Sequence, residues 1–190
     1  RRDESRLFID INSKQRGVPN ELLLDIKQLA EYEDNEEQLM RTIFDLFNND
    51  SESAFLNKFS ASSKSKNKIS RVTFNKSFKP LMGLFRGKDP DEIYLILNNY
   101  FLAFKEGLSD IDCEDTLLSS IVFRAVAGFF PFAASKLKDR YGPDYTVDNF
   151  YDAMEGMFSK IKPSRLKKPG NSYRALAEYL EENTKSEFSL

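Results

Sequence analysis

Apolar positions recur three and four residues apart along most of the chain, which is the spacing of one helix face. Arg6 to Asn12 is too short for this spacing to separate helix from strand. Pro19 suits the first turn of a helix and Glu21 suits its positive end. Leu22, Leu23, Ile26, Leu29 and Ala30 then keep helical spacing to about Tyr32. A second helix is predicted from Glu36 to Phe47, with Leu39, Ile43, Leu46 and Phe47 inward. Asn48 to Ser53 reads as a polar turn, and Ala54, Phe55, Leu56 and Phe59 as a short helical piece. Ser60 to Asn67 has no apolar anchor and reads as a loop. Lys68 to Thr73 is the best strand candidate. Thr73 is then expected to cap a helix to Phe85, kinked or restarted at Pro80.

The second half is easier to read. Asp89-Pro90-Asp91-Glu92 combines a cap, a proline at the first helical position and an acid three residues after the cap. Its helix should point Ile93, Ile96, Leu97, Tyr100, Phe101 and Phe104 inward and stop near Gly107. Leu108 to Asp115 reads as an acidic loop. A long apolar helix is expected from about Thr116 to Tyr141, bent near Gly128 and Pro131 and ended by Gly142-Pro143. Within it, Leu117 to Leu137 contains Arg124 and Pro131. It therefore reads as a core helix and not a membrane span, where a central arginine is costly. Arg124 should reach the surface or pair with an acid, and Ile121→Asp should prevent soluble folding. Another helix starts at Thr146 or Asp148 and runs to Ile161. Ile161 to Gly170 reads as a basic loop, and Ser172 to Asn183 as a last helix with Tyr173, Leu176, Tyr179 and Leu180 on one face. The predicted class is mainly α, with about seven helices and at most a short β ribbon.

Composition sharpens this picture in three places. Seventeen phenylalanines with no tryptophan imply an aromatic core. The chain has no histidine, which removes Ser-His and Cys-His catalysis and the commonest metal ligand. No Walker A or G-x-G-x-x-G sequence occurs, so no catalytic constellation is legible and no cofactor is expected. Asp110, Asp112 and Glu114 resemble the opening of a calcium loop. Asp115 stands where the turn glycine belongs and Ile121 where the bidentate glutamate belongs, so a solvated acidic turn is the better reading and no metal is expected. The single Cys113 excludes an internal disulfide and fits a reducing cytoplasm.

Charge is segregated. Glu31 to Glu52 holds eight acids and one base, Arg41, whereas Ala54 to Lys88 holds nine bases and no acid. A second acid-free stretch carries Lys160, Lys162, Arg165, Lys167 and Lys168. A net charge of −2 excludes a uniformly basic nucleic-acid binder. Two basic stretches could still form one phosphate-binding patch, the plainer alternative being solvated loops that pair with the acidic segment. Candidate contacts are Lys64, Lys66, Lys68 and Arg71 in the first, and Lys162, Arg165, Lys167 and Lys168 in the second. At the N-terminus, Asn12, Lys14, Gln15 and Arg16 offer donors suited to phosphates or base edges. A polar helix end before a turn at Gly17 is the plainer alternative there.

The segment Leu7 to Asp25 resembles the stretch that follows the signature motif in DGQHR-domain proteins, a group that includes DndB-like proteins of bacterial DNA phosphorothioation systems. Leu7, Phe8, Ile11, Asn12, Ser13, Gln15 and Arg16 carry the likeness. It continues weakly through Ile69 to Phe74 and Lys79-Pro80-Leu81. The Asp-Gly-Gln-His-Arg signature itself is absent and would lie upstream of Arg1. The resemblance implies that residues 1–18 are the tail end of a DGQHR/ParB-like domain and 19–190 a helical domain of a larger ParB-like α/β protein. It implies a DNA-binding regulator of a modification system, with DNA and other proteins of that system as partners. Alternatives are a ParB-like nucleotidase or nuclease whose active residues lie upstream, and a helical module that assembles a modification complex. The oligomeric state and the DNA site are not legible.

Overall fold

A computed structural model describes residues 35–61 and 67–185. They form seven α-helices, two 3-10 helices and one pair of two-residue strands, so the mainly helical class with a short ribbon is present. The helix expected over Pro19 to Tyr32 lies outside the described residues. Helix α1 spans Asn35–Asn49 and buries Met40, Ile43, Phe44 and Phe47, the i, i+3, i+4, i+7 stripe of an amphipathic helix. Where a helical piece was expected from Ala54 to Phe59, the chain instead makes turns. The reason is a polar clamp. Buried Asn98 accepts a hydrogen bond from the Ala54 amide at 2.9 Å and donates to the Glu52 carbonyl at 3.0 Å. Those backbone groups are therefore satisfied without a helix.

Strands β1 (Phe59–Ser60) and β2 (Ile69–Ser70) pair in parallel, with Phe59 opposite Ile69. The strand predicted to Thr73 stops early because Ser70 caps the next helix, accepting the Thr73 amide at 3.2 Å. Helix α2 is Arg71–Phe78, and Pro80, which has no N–H to give, sits at the start of the 3-10 helix Lys79–Phe85. Helix α3, Pro90–Ser109, begins on a complete capping box between Asp89 and Glu92. A second 3-10 helix, Glu114–Leu118, separates it from α4, Ser120–Tyr141. The long helix thus starts later than Thr116. Helix α5 is Val147–Phe158 and is capped by Thr146. The basic stretch expected as a loop contains a short helix, α6, Pro163–Lys167. Helix α7, Tyr173–Thr184, is capped by Ser172.

Helix α3 packs on α1 and α5, while α4 packs on α2, α5 and α7. Fourteen phenylalanines are buried in one continuous core. Phe123 sits among Phe55, Phe59, Phe78 and Phe101, with ring centroids 5.4–6.0 Å apart. Such pairs contribute about 0.5–1.5 kcal/mol each beyond their area burial. The Tyr100 hydroxyl, fully buried in this core, donates to the Val126 carbonyl at 2.7 Å and so is not left unpaired. Ile121, expected in the core, is only half-buried, because α4 opens at Ser120 and turns Val122 and Phe123 inward instead.

Candidate nucleic-acid interface

The second basic stretch is held on the fold by three anchors. Ile161 and Leu166 are 4 % and 1 % exposed and pin it at two points. Between them, the Lys162 amide donates to the Tyr179 hydroxyl of α7 at 2.9 Å, and the Arg165 guanidinium lies over the Tyr179 ring at 5.0 Å. Pro163 fixes the start of α6. Lys160, Lys162, Arg165, Lys167 and Lys168 are left exposed, with no acid between Ser159 and Ala177. An ordered backbone that presents only cations is an arrangement suited to phosphate oxygens.

Positive charge continues beyond this segment. The Lys136 ammonium donates to the Thr184 carbonyl, and that of Lys160 reaches the Lys185 carbonyl at 3.5 Å. Both cations sit at the C-terminal end of α7, where free carbonyls and the helix dipole favour them. Burial, and then the neighbouring Arg140 and Lys160, pull the Lys136 ammonium below the usual lysine range. Arg140 is partly neutralised by Asp152 at 2.8 Å.

On α7, one tyrosine also draws in two arginines. The Arg124 guanidinium, near the start of α4, lies 3.8 Å above the Tyr173 ring, so this charge is held by a cation–π contact, and no acid pairs with it among the described residues. Arg174 donates to the Tyr173 hydroxyl at 3.3 Å and holds that phenol below its usual range.

No protein-family model matches this chain, and neither does any curated protein or solved structure.

The other sequence candidates fall in different places. Asn12, Lys14, Gln15, Arg16, Lys64 and Lys66 lie outside the described residues. Lys68 is exposed and borders a groove with Thr73, Leu118 and Ser120. Lys167 borders an open cavity of about 580 Å³ whose lining includes Asp112, Glu114 and Asp115. The 3-10 helix Glu114–Leu118 lines both, so Lys68 and the Lys160–Lys168 segment do not form one acid-free patch among the described residues. Arg71, expected as a phosphate contact, is 3 % exposed. The Ser70 cap starts α2 at Arg71 and places it i, i+3, i+7 with buried Phe74 and Phe78, on the inward face.

Among the described residues no three Cys, Asp or Glu side chains converge. Asp110 instead accepts the Tyr151 hydroxyl at 2.8 Å, and that bond pushes the phenol up to about 12. Sequence reading missed Lys136, Tyr173, Tyr179, Arg124 and Arg174 as parts of this surface. The available signal was two tyrosines on a helix face directly after an acid-free stretch.

Proposed function

We propose that this domain binds nucleic acid through its phosphate backbone, with Lys160 to Lys168 as the principal contact. The observation that carries the reading is the ordered, acid-free segment pinned by Ile161, Leu166 and Tyr179, with five exposed cations. Lysines act there as point charges, and the guanidinium of Arg165 can bind a phosphate bidentately. The resemblance of Leu7 to Asp25 supports DNA as the ligand, in a regulator of a bacterial phosphorothioation-type modification system working in the cytoplasm with that system's other proteins.

The test is fluorescence anisotropy with labelled duplex DNA at several salt concentrations. Changing Lys162, Arg165, Lys167 and Lys168 to alanine should weaken binding about equally for all sequences. It should also flatten the slope of log affinity against log salt by about 0.9 per lost phosphate contact. All four side chains are exposed, so the fold should survive, as checked by circular dichroism. Unchanged affinity and slope, or no binding at about 50 mM salt, would leave these cations as solvated surface.

A further inference from the structure

Two leucines stand out of the fold on the side of α3 and the first 3-10 helix. Leu84 and Leu95 are 58 % and 57 % exposed, more than any other large apolar side chain among the described residues. Leu84 borders a groove of about 260 Å³ whose apolar lining is Phe85, Ile96, Phe130, Pro131 and Ala134. The floor is finished, because Phe85 stacks on Phe130 with centroids 5.7 Å apart and both rings are buried. Leu95 directly precedes Ile96 of that lining on α3. It shares a helix face with Asn99, and the Asn99 amide donates to the carbonyl of Tyr145, which also lines the groove.

The charged lining is of one sign. Lys88 and Lys138 border the groove and no carboxylate does. Lys88 is balanced by Glu92 at 3.1 Å, whereas no acid pairs with Lys138 among the described residues. The space is smaller than the roughly 300–1,000 Å³ of ligand pockets, so it takes side chains and not a whole cofactor. Its walls are helical, with no strand edge to extend, which leaves an amphipathic helix as the fitting shape.

We propose that this groove docks an amphipathic helix of a partner protein. That helix carries large aliphatic residues at i, i+3 or i+4, and i+7, and aspartate or glutamate on its flanks beside Lys138. The site is separate from the Lys160–Lys168 segment and does not depend on nucleic-acid binding.

A library of helical peptides with randomised positions, selected against the full chain, tests this. Enriched peptides should combine that aliphatic spacing with net negative charge. Leu84→Asp should reduce their affinity at least tenfold, and Lys138→Glu should turn the selection towards lysine and arginine. Both residues are exposed, so both variants should keep the wild-type circular dichroism spectrum and the wild-type affinity for DNA. The proposal fails if nothing is enriched, if enriched peptides lack acids, or if they bind Leu84→Asp unchanged. A dimer in sedimentation that Leu84→Asp dissolves would assign the groove to a second copy of the chain and also overturn it. Loss of DNA binding in Leu84→Asp would overturn it in favour of nucleic acid.

Discussion

Gly107 and Gly156 both lie inside helices, and they should answer a methyl group in opposite ways. A Cβ on Gly107 would stand 2.1–2.4 Å from the Phe158 ring, whereas one on Gly156 would meet nothing within 4 Å. Alanine normally improves a helix interior by about 0.5–1 kcal/mol over glycine. Gly156→Ala should therefore raise stability by roughly that amount. Gly107→Ala must displace a buried ring and should cost about 1–3 kcal/mol, part of which Phe158→Leu should restore. Urea unfolding of the three variants measures this, and a stabilised Gly107→Ala would contradict the close crossing of α3 and α5. The sequence ends this helix near Gly107, and α3 ends at Ser109, but it does not show why glycine stands there, because that need is set by a helix that follows much later in the chain. Arg71 teaches the same lesson in charge. Its type suggests a surface donor, and only the position of the Ser70 cap reveals that it faces inward.

At the scale of elements, what is local was legible. Asp89, Thr146 and Ser172 each accept a backbone amide three residues on, and that chemistry lies within four consecutive residues. The turns at 54–57 and the brevity of β2 were not legible, since Asn98 and Ser70 decide them through contacts that compete with helix and strand pairing. The start of α4 is the sharpest case. A shift of the first turn by a few residues moves Ile121 out of the core and Phe123 into its centre. Phe123→Ala should cost about 3–5 kcal/mol, as expected for emptying a fully packed aromatic site. Ile121→Asp should fold, because its half-buried position in the first turn places a carboxylate near the positive end of the helix dipole. Chemical denaturation of both variants separates the two placements, and failure of Ile121→Asp to fold would restore Ile121 to the core.

Over the whole molecule, the sequence shows the basic stretch through its charge but not the means by which Tyr179 orders it. The apolar groove was invisible, since Leu84, Ile96 and Phe130 meet only when three elements pack. Helix α4 has a further consequence, in the order of synthesis. By length and composition it could cross a membrane, with a mean hydropathy of 1.3 over 18 residues. In the fold its apolar side is covered by Phe55, Phe59, α2 and α3, which precede it, and by α5 and α7, which follow it in the chain. A ribosome therefore completes α4 before its cover is complete, and the growing polypeptide displays the part of α4 that α5 and α7 cover until Thr184 has emerged. Polypeptides ending at Gly142 or Gly170 should pellet or associate with chaperones, in proportion to how much of α4 they leave bare. Fractionation of that truncation series against the complete chain tests it, and equal recovery of the Gly170 product would show that α7 is dispensable as a cover. By this expectation, the emergence of α7 is the step at which α4 stops being a client of the folding machinery.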